Sequence, residues 1–589
     1  MPEPRRLAAL ALALAVLAAS GQAAAPPEAR ELITKARGAV TRGDGLGAEV
    51  LLRRARDLGA GEGDVASLLG QAYLLQGDSR KAREWLTRPD LANADAASGA
   101  RALGVLEHRA GRLPEAGRAF DRALAIIPRD AGLWVDIARL RYAGGEHAKA
   151  VEAIDHALQL DPAHPRALEA KAQLVRDQFG LAPSLRWFEA GLAAAPADLA
   201  LLADHAATLG DLGAGQAMLR ATRRLLELDP RNPRAFYLLA VLAMRAGDPS
   251  LARAMLNRTA GRLSREPAVR LLDAAILIEA GNPKLAVEVL DALLRRQPAN
   301  IRVQLLLARA AEASGDDSFL IERLSGAALE PGAPPALALA VGRAWERLGK
   351  RERAAPFLDR ARHGQPAFVT PVLHGSELGG LIAAGNAVRA VSLTEKALHA
   401  TPGSAAAEAL AGDALLAAGK PLDAERHYAM AARIRMPESL FLRRIEALSQ
   451  AGRGGDAYAL AQAYLSGNPQ SRAAARLMAG LSAQAGHWAR ARDVLDHLSR
   501  TGGARDPLLL ADLSLARQRS GDGKRARLAA YKAWKLQPAS PAVAQAWALA
   551  LSRQGRQQIA DALADRAAAS LGETPLLAEV RARVVEGPG

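Results

Sequence analysis

Glycine and alanine recur along the chain with a period close to 34 residues. In most periods a glycine is followed five residues later by an alanine, and apolar positions on both sides are spaced by one helical turn. The glycines are Gly43, Gly77, Gly111, Gly145, Gly213, Gly247, Gly281, Gly315, Gly349, Gly385, Gly419, Gly452, Gly486, Gly521 and Gly555. The alanines are Ala48, Ala82, Ala116, Ala150, Ala252, Ala286, Ala354, Ala390, Ala424, Ala457, Ala491, Ala526 and Ala560. The pattern predicts sixteen pairs of helices between Ala29 and about residue 572.

The residues of one unit, 97–130, explain this spacing. Gly111 ends the first helix, because glycine adopts the left-handed C-cap conformation at little cost. Ala116 is small, so the second helix approaches the first closely, and Phe120 fills the gap toward the next unit. Pro128 ends the second helix because it has no N–H. Each unit therefore needs its neighbours to cover its apolar faces.

Two departures from the period stand out. Phe179 occupies a position where glycine is expected, and the glycine is shifted to Gly180. The unit around residues 362–380 is longer by two residues and rich in proline and glycine. It indicates either a joint between two groups of repeats or a loop insertion that the array tolerates.

These observations predict that the chain is divided into four segments. Residues 1–25 are expected to be a signal peptide, residues 29–365 a first group of repeats, and residues 366–573 a second group. Residues 574–589 are expected to form a capping helix and a tail. Thr574 is a suitable N-cap for that helix because its hydroxyl accepts a hydrogen bond from a free backbone N–H.

The first residues have the order that is typical of a secretory signal peptide. Arg5 and Arg6 precede an apolar run at 7–19, which is followed by small and polar residues at 20–25. Cleavage is expected between about 20 and 25, and Ala23 is the favoured last residue. Thirteen apolar residues are too few to span a bilayer, although an uncleaved anchor is the alternative. We expect a soluble protein exported to the periplasm, with no later transmembrane segment.

Composition removes several classes of protein. The absence of cysteine excludes disulfides, cysteine-bound metals and lipoprotein anchoring. Half of the 589 residues are apolar, yet only 4% are aromatic, and most of the apolar half is alanine and leucine. These are the strongest helix formers, so the composition indicates an all-helical protein.

No pattern of catalytic or metal-binding residues emerges. The eleven histidines are scattered, and none forms an HExxH pair. The glycine-rich stretch 43–47 superficially resembles a phosphate-binding loop, but it occupies the turn within a repeat and no strand precedes it. We therefore expect no enzyme activity, no cofactor and no bound metal.

The period and the motifs resemble those of the tetratricopeptide repeat family. The motifs with the clearest resemblance are Leu69-Gly70 with Tyr73; Gly111, Ala116, Phe120 and Pro128; and Gly342, Trp345, Gly349 and Ala354. The resemblance implies a right-handed superhelical α-solenoid of about 16 units. Long exported arrays of this kind resemble the scaffolds of bacterial exopolysaccharide-secretion and PEP-CTERM-type systems.

In this family the first helix of each unit lines the inner groove, and the resemblance implies which residues of this chain do so. The implied groove residues are Arg101, Arg109, Arg139, Tyr142, Arg166, Arg176, Arg234, Tyr237, Arg302, Arg309 and Arg343. The groove is thus expected to be basic from the third to the tenth unit, in a chain of net charge +15. Arginine forks pair well with carboxylates and phosphates. The alternative is that these arginines face solvent or pair with neighbours such as Glu312 and Glu346.

Three functions follow from these expectations. The first is a scaffold or adaptor that holds protein partners of an envelope or polysaccharide-export complex. The second is direct binding of an acidic peptide or an anionic polysaccharide in the groove. An anionic membrane surface is a further possible ligand. The third is an enzyme with an unrecognised site. Nucleic acid suits the charge, but export and the few aromatic residues argue against it.

Overall fold

The computed structural model describes residues 25–88, 95–330, 333–363 and 377–582. Across these residues the secondary structure is helical, and no strand occurs among them. Residues 1–24 of the predicted signal peptide and residues 364–376 of the predicted joint lie outside the described residues.

The described helices form sixteen consecutive pairs followed by one further helix. The first eight helices are α1 Pro27–Thr41, α2 Gly45–Asp57, α3 Glu62–Gln76, α4 Ser79–Leu86, α5 Ala96–Arg109, α6 Leu113–Ile126, α7 Ala131–Ala143 and α8 His147–Leu160. The next twelve are α9 Pro165–Phe179, α10 Leu181–Ala194, α11 Leu199–Asp211, α12 Gly215–Leu228, α13 Pro233–Arg245, α14 Pro249–Asn257, α15 Pro267–Glu279, α16 Pro283–Leu294, α17 Ile301–Ser314, α18 Asp317–Leu329, α19 Pro335–Arg347 and α20 Arg351–His363.

The remaining helices complete the array. They are α21 Glu377–Ala383, α22 Ala387–Ala400, α23 Ala405–Ala417, α24 Pro421–Ala432, α25 Glu438–Gln450, α26 Gly454–Gly467, α27 Arg472–Gln484, α28 Trp488–Leu498, α29 Pro507–Arg519, α30 Gly523–Leu536, α31 Pro541–Ser552, α32 Gln557–Leu571 and α33 Pro575–Ala582. A short π-helical turn at Ser499–Gly503 follows α28. The predicted α-solenoid of sixteen helix pairs is confirmed.

Contacts between residues divide the chain into two compact units. Unit 1 ends at Lys171 and unit 2 begins at Ala172, so the boundary lies within α9. The boundary predicted between residues 365 and 366 lies outside the described residues and stays a prediction.

The periodic glycines and alanines occupy the positions that the pattern predicts. All fifteen periodic glycines have positive φ angles, between 71° and 87°, at the turn within each pair. A residue with a Cβ is strained in this conformation, so glycine is favoured there. The thirteen alanines are no more than 2% exposed. The turn and the close contact of the two helices therefore depend on these two small residues.

A small residue in the first helix faces a large one in the second, 16 residues later. A Cβ added to Gly104 would collide with the ring of Phe120, and one added to Gly412 would collide with the ring of Tyr428. The same relation joins Gly70 to Leu86 and Gly342 to Leu358. Phe120 also belongs to a buried cluster with Leu133 and Ile137 of the next pair. The large residue thus packs both within its own pair and against the next one.

The last helix, α33, covers the end of unit 2. Its backbone N–H at Leu577 donates a hydrogen bond to the hydroxyl of Thr574. Leu577 and Val580 are fully buried against α31 and α32. On its polar side, Glu579 pairs with Arg519 and Arg553, and the two guanidiniums hold the pKa of this carboxyl below its usual range against the effect of burial. This arrangement closes the apolar core and leaves charged side chains outward.

One carboxylate of unit 2 is buried with two polar partners. Asp413 accepts hydrogen bonds from the hydroxyl of Tyr428, at 2.8 Å, and from a guanidinium nitrogen of Arg443, at 3.0 Å. Burial raises the pKa of Asp413 to about 6, although Arg443 and Tyr428 act in the opposite direction. The protonation of this carboxyl therefore makes the stability of unit 2 depend on pH.

Replacing Gly104 with alanine is expected to destabilise unit 1 by about 1–3 kcal/mol, because the added methyl group displaces the Phe120 ring. Gly117 lies in α6 with no atom closer than 3.9 Å to its Cβ position. The same substitution there should raise stability slightly, by about 0.5–1 kcal/mol, through the loss of glycine's flexibility. Urea unfolding followed by circular dichroism measures both. Equal effects of the two substitutions would contradict the packing argument.

The effect of Asp413 on stability should change with pH in a defined direction. Folding raises its pKa above the unfolded value of 3.8, so its contribution is full below about pH 4 and is lost as pH rises through about 6. The stability of the wild type relative to Asp413→Asn should therefore fall between pH 4 and 7, on the order of 2 kcal/mol. Unfolding curves across this range measure the difference. Asp423→Asn, at a side chain that is 48% exposed, controls for the loss of a carboxylate; a parallel trend there would refute the assignment to Asp413.

Candidate binding surface

The first helices of successive pairs in unit 1 bring four of the predicted arginines to one cavity. Arg101 and Arg109 lie on α5, Arg139 on α7 and Arg166 on the part of α9 that belongs to unit 1. The cavity has a volume of about 730 Å³. Its lining consists of Gln71, Leu74, Ser98, Arg101, Ala102, Val105, His108, Arg109, Phe120, Asp136, Arg139 and Arg166.

A buried aspartate fixes two of these arginines. Asp136, which is 4% exposed, accepts a hydrogen bond from Nε of Arg101 at 2.7 Å and from a terminal nitrogen of Arg166 at 2.6 Å. The three residues lie on three successive first helices, so the carboxylate links three pairs. Arg101 also approaches Asp130, at 3.4 Å. Buried charges need such partners, so these two arginines serve the packing of the array as well as the cavity.

The other two arginines are less constrained. Arg109 is exposed and forms no ion pair within the described residues. Arg139 lies 3.6 Å from Glu169, a long and partly exposed contact. Four guanidiniums thus face the three carboxylates of Asp130, Asp136 and Glu169 around the cavity, which leaves an excess of one positive charge. An anionic group entering the cavity would meet Arg109 and Arg139 first, since Asp136 already engages the others.

The floor of the cavity is apolar. Leu74, Val105 and Phe120 line it beside the arginines. Gln71 and Ser98 add a polar pair on one side, where the Gln71 amide donates to the Ser98 hydroxyl at 3.1 Å. The cavity therefore offers apolar contact next to cationic groups, which suits a ligand that carries both.

The remaining predicted groove residues do not share this cavity. The ring of Tyr142 packs on His147 of the second helix in its own pair, with 4.7 Å between ring centroids. In unit 2, Arg234 pairs with Asp204, and Arg309 pairs with Glu279 at 2.5 Å. Tyr237 packs beside two buried clusters, and burial raises the pKa of its hydroxyl.

Three predicted arginines of unit 2 have no ionic partner among the described residues. Arg302 and Arg343 are exposed, whereas Arg176 is half-buried. Glu312, the alternative partner that the sequence suggests, lies 3.8 Å from Arg347, an arginine outside the predicted set that also pairs with Asp317 at 2.6 Å. The predicted basic surface is therefore divided into arginines held by acidic partners and arginines left to solvent.

The acidic partners are the residues that sequence reasoning missed. In several cases an acidic residue lies 30 positions before its arginine, which is one repeat less one helical turn. The spacing joins Asp136 to Arg166, Asp204 to Arg234, Glu279 to Arg309, Asp317 to Arg347 and Asp413 to Arg443. A search for this offset between oppositely charged residues would have revealed the pairs.

Other kinds of site find no support in the described part of the chain. No group of three or more histidine, aspartate or glutamate side chains in it is placed to hold a metal ion. Across the same residues, no helix combines the length and apolar content that crossing a membrane requires.

One family model of a helical repeat matches part of the chain. The family model described as Tetratricopeptide repeat matches residues 108–174. No curated protein sequence gives a match. Among solved structures, the chain is similar to one in the crystal structure of the APC/C hetero-tetramer Cut9-Hcn1, with 15% identity, a TM-score of 0.41, and coverage of 95% of this chain and 97% of that one.

Two further structures are similar over a smaller share of the chain. PilW, a type IV pilus biogenesis factor, is 21% identical over 37% of this chain and 100% of that one, with a TM-score of 0.31. The human IFIT1 dimer with m7Gppp-AAAA is 14% identical over 63% of this chain and 90% of that one, with a TM-score of 0.36. The tetratricopeptide repeat match at residues 108–174 thus covers α6 to α8 and most of α9, which are part of the series of sixteen helix pairs.

Proposed function

We propose that the protein is a non-catalytic scaffold that binds an acidic segment of a protein partner in the cavity of unit 1. The observation that carries this proposal is the placement of Arg109 and Arg139 at a cavity whose other two arginines are already held by Asp136. Charge-assisted hydrogen bonds from guanidinium groups to carboxylates are among the strongest polar contacts available to a protein surface.

A peptide fits the cavity better than a polysaccharide does. Leu74, Val105 and Phe120 provide an apolar floor beside the cations, and peptides combine apolar side chains with carboxylates. An anionic polysaccharide is the second candidate, because the excess of positive charge attracts any anionic polymer at low salt. The two ligands differ in their need for the apolar floor.

The location and the biological system extend the same proposal. Residues 1–25 have a charged start, an apolar run and small residues in that order, which supports export to the periplasm with cleavage of the signal peptide. The sequence has no cysteine that could carry a lipid anchor. An exported scaffold of this length suits a multiprotein envelope complex, such as one for exopolysaccharide export or envelope assembly, with several partners held along one array.

Export is tested by placing residues 1–25 in front of an alkaline phosphatase reporter that is active only outside the cytoplasm. Activity is expected, and N-terminal sequencing of the exported full-length chain should begin between residues 21 and 26. Arg5→Glu/Arg6→Glu should lower export, because the positive charge before the apolar run is lost. A protein that keeps Met1 and stays in the cytoplasm would contradict the proposal.

Binding to the cavity is tested with the double variant Arg109→Glu/Arg139→Glu. We expect its affinity for a fluorescein-labelled peptide of alternating glutamate and leucine to fall by about tenfold or more, because two charge-assisted contacts are lost. The wild-type affinity should also fall between 50 and 500 mM salt, roughly following the screening length. Fluorescence anisotropy measures both.

The matched control is Arg118→Glu/Arg122→Glu, which makes the same change of four charge units at two exposed side chains of α6 outside this cavity. Equal loss of binding in the control and in the double variant would mean that only net charge matters. Alginate oligosaccharide in place of the peptide separates the two ligand classes. Tighter binding of alginate than of the peptide would favour the polysaccharide.

A further inference from the structure

Unit 2 contains a contact between helix pairs that are far apart in sequence. The turn that joins α9 to α10, in the fifth pair, lies against the end of α26, in the thirteenth pair. The backbone N–H of Met436, just before α25, donates a hydrogen bond to the carbonyl of Asp177 at 2.7 Å. The side-chain amide of Gln470, just after α26, donates to the carbonyl of Leu212 at 3.1 Å. The thirteenth pair therefore contacts the fifth pair, which lies eight pairs earlier in the chain.

Two glycines make this approach possible. A Cβ added to Gly467 would collide with the carbonyl oxygen of Phe179, and one added to Gly180 would lie 2.7 Å from the carbonyl carbon of Gly467. Gly180 also has a φ of 100°, where glycine is favoured. It is the glycine that is shifted by one position from the repeat period. The close contact accounts for the departure, because a backbone without side chains is needed at this point.

The contact differs in chemistry from the packing around it. The hydrogen bonds from Met436 and Gln470 involve backbone groups and one neutral amide. The buried apolar clusters of the described chain lie to either side of it without spanning it. Neutral hydrogen bonds at a surface are individually weak, whereas each helix pair is held by its own apolar core. The contact can therefore separate while the pairs on both sides stay folded.

We propose that these residues form a latch, with Asp177, Gly180 and Leu212 on one side and Met436, Gly467 and Gln470 on the other. The closed latch holds the seven pairs between the fifth and the thirteenth in a single turn. Opening extends this part of the solenoid and exposes the surfaces that face each other across the contact. These six residues lie in unit 2, and none of them lines the basic cavity of unit 1.

The first test is Gly467→Arg in the full chain, measured by small-angle X-ray scattering. The arginine cannot be placed against the Phe179 carbonyl, so the radius of gyration should increase while the helical circular dichroism is retained. The control is Gly480→Arg, at an exposed glycine of α27 with no atom within 4 Å of its Cβ position. A radius of gyration for Gly467→Arg equal to that of the control would overturn the latch.

A second test avoids any loss of folding caused by that substitution. The chain has no cysteine, so the pair Leu212→Cys/Gln470→Cys introduces the only thiols. A short bismaleimide should link them within one molecule about tenfold faster or more than it links Leu212→Cys/Ser520→Cys, since the latch gives the first pair a high effective concentration. Equal rates for the two pairs would refute a closed latch.

Discussion

The close approach of the two helices in each pair is the constraint on which the rest of the structure depends. A glycine or alanine in the first helix faces a large side chain in the second, as Gly104 faces Phe120 and Gly412 faces Tyr428. The large residue also packs against the next pair, so one side chain stabilises both its own pair and the contact between neighbouring pairs. This explains why a chain of 589 residues needs so few aromatic rings and no disulfide: each interface is small, and it is repeated.

The sequence predicts what depends on short-range sterics. The glycines at the turns, such as Gly111, adopt the positive φ that the pattern requires, and alanines such as Ala116 are buried. Contacts set by the relative placement of whole pairs are harder to predict. Asp136 is an ordinary helical aspartate in the sequence, and only the stacking of three pairs shows that it holds Arg101 and Arg166. The division within α9 has no marker in composition or period either.

The arginines of the inner helices therefore have two roles, and the acidic residues separate them. Where a carboxylate lies one repeat less one turn before an arginine, as Asp204 lies before Arg234, the guanidinium is committed to its neighbour. Where that position is not acidic, as for Arg109, the charge remains available. A count of basic residues along the groove thus overestimates the surface that can bind a ligand. The unit 1 cavity stands out because it combines both kinds of arginine, the committed ones shaping it and the others facing the entering group.

Departures from a repeat carry information that the repeat itself cannot. In a solenoid each pair contacts its neighbours, so periodic positions report on local packing alone. A residue that departs from the period is set by a different constraint. Gly180 contacts the backbone of Gly467, eight pairs away. Its shift from position 179 moves the turn by one residue and removes the side chain that would hold the two segments apart. The glycine that breaks the period is thus the one that sets a long-range contact, and other irregular positions in arrays of this kind can be examined for distant partners in the same way.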